Sequence, residues 1–193
     1  MSKKIMIICG SPRKKGNTMT LVNWAKTGAE ETGAQVEIVD AAHLNYKTNG
    51  CISCYGCQKS DEFKCVIKDD AAEILARMAE QDVIILATPV YFMGVSAQLK
   101  LILDRMFSLV KIVSETDIKH CLQKPKFGFI VPAGGDENGG LNLTIENIKA
   151  ATGFFGKTLE VFSLPLAPMN PEDLLSNPAL KEKTLNFGKK LVE

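Results

Sequence analysis

Short apolar runs alternate with longer stretches of helical periodicity along this chain, and that alternation leaves few folds open. The runs fall at residues 4–9, 35–40, 83–88, 127–131 and 158–164. Val83–Ala87 is apolar at every position, as a central parallel strand covered by helices on both faces requires. Val36 and Ile38 instead alternate with Gln35 and Glu37, which suits a sheet edge. Between the runs, a first helix is expected over about 18–32, with Asn17 as N-cap and Gly33 as its stop. A second starts at Asp70, whose spacing to Glu73 makes a capping box. A third spans about 96–110, a fourth about 142–155, and a last follows Asn177 with Pro178 in its first turn. Strands alternating with helices predict an α/β doubly wound three-layer sandwich with a five-stranded parallel sheet. Ligands of such sheets lie beyond the C-terminal strand ends.

The 193 residues read as one domain, 1–193, with a single irregular insert at about 41–69. Lys and Arg number 23 against 22 Asp and Glu. A net charge of +1 argues against a counterion-driven nucleic-acid binder and a polybasic membrane surface. No apolar run approaches the roughly 20 residues that span a bilayer. The expectation is a cytoplasmic protein without nucleic-acid or membrane partners.

After the first strand, Gly10-Ser11-Pro12-Arg13-Lys14-Lys15-Gly16-Asn17-Thr18 leads straight into a helix. Such a loop offers backbone N–H groups and a helix dipole to an anion, while Ser11, Asn17 and Thr18 add donors and Arg13 adds charge. Three familiar phosphate loops fail on spacing. A Walker loop needs Lys where Asn17 stands, G-x-G-x-x-G is absent, and a phosphatase using Cys9 would need Arg where Lys15 stands.

After the third strand come Thr88-Pro89-Val90-Tyr91-Phe92-Met93-Gly94. Pro89 ends the strand, Tyr91 and Phe92 offer aromatic surface against a flat ring or within a core, and Gly94 permits close approach. After the fourth, Ala133-Gly134-Gly135 opens a run with four glycines in eight residues, either a binding loop or a mobile turn. Lys100 and Asp104, four apart, read as a surface ion pair.

Four of the six cysteines, Cys51, Cys54, Cys57 and Cys65, lie inside the insert. In a reducing compartment such a cluster points to metal or redox chemistry before disulfides. A [4Fe–4S] cluster, structural zinc and free thiols all remain open: two successive x2 spacings suit a cubane, and four thiolates suffice for zinc.

On residues 10–18, on 88–94 with Lys100 and Asp104-Arg105, and on the cysteine insert followed by Asp69-Asp70, the chain resembles the NADPH-dependent FMN reductase and iron–sulfur flavoprotein families, which share a flavodoxin-like fold. The resemblance implies a sheet order of 2-1-3-4-5 and FMN held by Ser11, Arg13, Gly16, Asn17 and Thr18 at its phosphate. It further implies Pro89, Val90, Tyr91, Phe92 and Gly94 beside the isoalloxazine, and Ala133, Gly134 and Gly135 beside the pyrimidine. NAD(P)H is the implied donor, with free flavin, a quinone or another small molecule as acceptor. No catalytic acid or base is needed. A homo-oligomer, a dimer or a dimer of dimers, completes the implied flavin site. The alternative is an iron–sulfur electron carrier exchanging electrons with a ferredoxin-like partner, and a hydrolase using Cys9 stands last.

Overall fold

The computed structural model describes residues 2–156 and 158–193. Its strands are β1 (Lys4–Cys9), β2 (Gln35–Asp40), β3 (Val83–Ala87), β4 (Val110–Ile112), β5 (Ile118–His120), β6 (Lys126–Pro132) and β7 (Thr158–Leu164). Its helices are α1 (Asn17–Glu31), α2 (Asp70–Met78), α3 (Ala97–Arg105), α4 (Asn142–Gly153), α5 (Pro171–Leu175) and α6 (Pro178–Lys190). Five strands form one parallel sheet in the order β2-β1-β3-β6-β7.

The expected 2-1-3-4-5 order changes in number because β4 and β5 intervene as a separate antiparallel pair. Sequence reading gave no strand there: each is three residues long, too short for a legible alternation.

Alternate residues of each strand face opposite layers. Met6, Ile8, Ile84, Leu86, Phe127 and Phe129 pack with Ile74 and Leu75 of α2, Ile102 of α3 and Ile148 of α4. Ile5, Ile7, Val83, Ile85 and Ile130 pack on the other face with Leu21, Val22 and Ala25 of α1 and Phe187 of α6. A fully buried aliphatic side chain contributes roughly 1.5–3 kcal/mol, so β1 and β3, covered on both faces, anchor the sheet whose ends carry the site.

Several helix ends differ from expectation. Gly16, not Asn17, is the N-cap of α1, and no side chain caps that helix. Asp69, not Asp70, caps α2: its carboxylate accepts from Ala72 N at 3.1 Å, while Asp70 accepts from Asn45 N and Nδ2 at 2.8 and 3.0 Å. The third helix stops at Arg105 and tightens into a 3₁₀ turn over Met106–Leu109, and α4 ends at Gly153. The short α5, with Asn170 as its cap, lies outside the expected set. No helix among the described residues is long and apolar enough to cross a membrane.

Candidate functional site

The C-terminal ends of β1, β3 and β6 open into a cleft of about 420 Å³. Arg13, Asn17, Thr18, Pro89, Val90, Tyr91, Ala133 and Gly134 line it. Ser11, Gly16, Phe92, Gly94 and Gly135 do not. Ser11 is buried and turned into its own loop, accepting from Arg13 N at 3.3 Å. Gly16 serves as the N-cap, and Gly135 accepts at its carbonyl from Leu166 N at 3.0 Å. A second cleft of about 520 Å³, between β7 and α6, lies on the flank of the sheet and brings none of these residues together.

The α1 entrance is electrostatically prepared for an anion. Side chains cap α2, α3, α5 and α6; α4 continues from the turn before it without one, and none caps α1. Its first-turn N–H groups and dipole therefore face the cleft beside Arg13. Gly10 sets this loop in place, donating to Ala87 O at 2.8 Å and accepting from Ser96 Oγ at 2.7 Å. A Cβ on Gly10 would lie 2.6 Å from Leu99 Cβ, so only glycine lets the loop and α3 approach so closely.

The Tyr91–Gly94 turn closes on itself, with Tyr91 N to Gly94 O at 2.9 Å and Gly94 N to Tyr91 O at 3.1 Å. This tight closure holds Phe92 at φ 46° and Met93 at φ 69°, and leaves the Phe92 side chain fully exposed. Non-glycine residues there cost on the order of 1–3 kcal/mol each and persist only when the surroundings enforce them. Gly140, at φ +98°, helps enforce them: a Cβ there would meet Met93 Cα at 2.8 Å.

The four insert cysteines line one narrow cavity with Ile67, Arg105, Phe107 and Ser108. Cys51 and Cys54 are exposed, Cys65 is half-buried and Cys57 is buried. Among the described residues no three His, Cys, Asp or Glu side chains converge as they would on a single metal ion. The insert is nonetheless pinned in place. Gln58 donates to Val110 O at 2.8 Å and accepts from Ile112 N at 3.1 Å, so its amide pairs with β4 as a strand would. Lys111 donates to the carbonyls of Cys57 and Ser60.

Beneath the cavity, Arg105 Nη1 donates to Asp69 Oδ2 at 2.7 Å and Nη2 to Ile67 O at 3.2 Å. Burial disfavours the Arg105 charge, but Asp69 and Cys65 outweigh it and hold its pKa above the usual value. Burial likewise works against the Asp69 charge, and Arg105 with the Lys47 and Ala72 N–H groups holds its carboxyl below the usual range. Arg105 Nε and Ser108 Oγ are buried without a hydrogen-bond partner.

Cys9 is buried in β1, and burial pushes its thiol up to about 11. A neutral thiol in a strand interior is no nucleophile, and the hydrolase reading falls with it.

Residues 3–165 match the sequence profile of the NADPH-dependent FMN reductases. The chain belongs to that family. It is 42% identical over 145 residues to an iron-sulfur flavoprotein of Methanocaldococcus jannaschii, covering 75% of this chain and 69% of that one. It is 37% identical over 145 residues to an iron-sulfur flavoprotein of Methanosarcina thermophila, covering 75% and 70%. The solved structure of an NAD(P)H:quinone oxidoreductase from Methanothermobacter marburgensis shares the fold, with a TM-score of 0.74 at 19% identity over 100% of this chain and 98% of that one.

This FMN reductase family member is an oxidoreductase, and its cleft includes residues that lie outside the set expected from sequence: Pro132, Ala167, Pro168 and Met169. Asn17 Nδ2 donates to Pro168 O at 2.7 Å and ties this C-terminal wall to the phosphate loop across 151 positions. Its Oδ1 is buried without a donor. The legible signal was Pro165 and Pro168, which interrupt the chain directly after the last strand.

Proposed function

We propose that the protein binds FMN in the cleft at the β1, β3 and β6 ends, takes hydride from NAD(P)H, and passes electrons to a free flavin, a quinone or another small acceptor. The uncapped start of α1 beside Arg13 carries this reading, because it suits a monoester phosphate. The orphaned Asn17 Oδ1 suits a hydroxyl-bearing ligand such as the ribityl chain. Bound FMN would supply two-electron acceptance from a nicotinamide and stepwise donation to an acceptor. The chain's own part is to hold the phosphate with the loop of residues 11–18 and to border the ring with Pro89, Val90, Tyr91 and Gly134. No side chain needs to move a proton. NAD(P)H consumption with quinone and free flavin as alternative acceptors tests the reading and ranks the acceptors; protein saturated with FMN that oxidises neither NADH nor NADPH contradicts it.

A second reading concerns the cysteine cavity. Four thiols together with two unpartnered buried donors suit a [4Fe–4S] cluster, whose thiolate and sulfide atoms are all acceptors. Cys51, Cys54, Cys57 and Cys65 would hold it, and it would exchange single electrons with FMN and a ferredoxin-like partner. Iron and acid-labile sulfide analysis after anaerobic purification, expected at about four of each per chain, tests it.

Tyr91 and Met169 line the flavin cleft and are exposed, and so are Phe92, Met93 and Leu166 close to them along the chain. A second copy of this chain, in a dimer or a dimer of dimers, would bury them and complete the site.

A further inference from the structure

We propose that Arg105 and Ser108 are the hydrogen-bond donors that set the reduction potential of the cluster, an inference that rests on the cluster reading above. Both line the same cavity as the four cysteines. Arg105 Nε–H and Ser108 Oγ–H are buried and neither makes a hydrogen bond of ordinary geometry, while the one side chain besides Asp69 that interacts favourably with the guanidinium is Cys65, itself one of the four thiols. Each such orphan is costly, and two on one cavity wall suit an acceptor placed there. Neutral thiols accept weakly; the thiolates and sulfides of a cluster accept well.

Their placement follows from the local fold. Arg105 ends α3 and Ser108 lies three residues on in the 3₁₀ turn, where positions i and i+3 eclipse. Asp69 and the Ile67 carbonyl fix the two terminal nitrogens of Arg105, so the remaining Nε–H is held rigidly and cannot swing to solvent. The Asp69 carboxylate also matches the guanidinium charge, so the donor acts through its oriented N–H rather than through an excess cation.

One-electron reduction of the cluster, with the electron coming from the reduced flavin, adds negative charge to its sulfurs and breaks no bond. Donors aimed at those sulfurs favour the reduced form and raise the potential. Asp69, Arg105 and Ser108 are thus positioning residues for electron transfer.

The test uses full-chain holoprotein of the wild type, Ser108→Ala and Arg105→Lys, prepared anaerobically. Iron and sulfide are counted, and the reduction potential is read by an EPR-monitored titration. Both variants are expected to hold the wild-type iron and sulfide content with the potential shifted to more negative values. If Arg105→Lys fails to load, Ser108→Ala decides alone. In cluster-free protein the Ser108→Ala melting temperature should equal or exceed that of the wild type, because the hydroxyl has no partner to lose; a clear fall would assign Ser108 a packing role and overturn the inference. Loaded Ser108→Ala protein with an unchanged potential overturns it while leaving the cluster standing. Wild-type protein lacking iron and sulfide overturns both.

Discussion

Arg105 Nη1 lies 2.7 Å from Asp69 Oδ2, with both side chains only 1% exposed, and this pair joins the helix after the Tyr91–Gly94 turn to the end of the cysteine insert. Asp69 does three things at once: it caps α2 through Ala72 N, accepts from Lys47 N at 3.0 Å, and neutralises Arg105. Asp69→Ala would leave a buried guanidinium unpaired and a helix uncapped. The expected loss is about 3–5 kcal/mol in a urea melt, since removing one member of a buried pair strands the other.

The same carboxylate sets an acid limit. Its folded pKa is depressed below the unfolded value near 3.8. Its contribution is therefore fully present above that value and is lost as pH falls below it through the folded pKa. Melting temperatures of wild type and Asp69→Asn, measured from pH 6 down to roughly pH 2, should converge at the acid end and differ most at pH 6. A constant gap across that range would contradict the assignment.

Arg13→Ala should weaken FMN by roughly ten- to a hundredfold, the effect of losing a charge-assisted contact worth about 1.5–3 kcal/mol. Asn17→Ala should also weaken it, by releasing the Pro168 wall from the phosphate loop. Flavin fluorescence titration measures both.

Phe92 stands fully exposed on a turn that holds it at positive φ. Phe92→Asp should break the proposed assembly into 21.1 kDa monomers in light scattering and lower FMN affinity with it. A wild-type protein that is monomeric with FMN bound rejects the shared site.

Much of this was legible in the chain. The five main strands declared themselves, β3 through an unbroken apolar run and β2 through edge-like alternation, whereas Ser96, expected inside the third helix, proves to be its N-cap. The loop of residues 10–18 announced an anion site through its glycines and donors. What escaped depends on contacts distant in sequence. Pro168 and Met169 reach the cleft only because β7 lies beside β6, and nothing near position 17 marks Asn17 as the tether. Asp70, with Glu73 three residues on, carries the stronger capping signal, but Arg105, 36 positions from Asp69, makes Asp69 the buried carboxylate that caps the helix. Phe92 looked like ring-bordering surface, but the closure of Tyr91 on Gly94 turns it outward. The Lys100–Asp104 pair is where its spacing put it, exposed and worth little.

Anaerobic titration of the purified FMN-loaded protein with NADPH, and separately NADH, is the most direct test of an FMN-dependent oxidoreductase. One equivalent of at least one of them should bleach the bound flavin's visible absorption, and a quinone or free flavin added afterwards should restore it. Flavin that stays oxidised in the presence of excess NADPH and NADH would contradict the account.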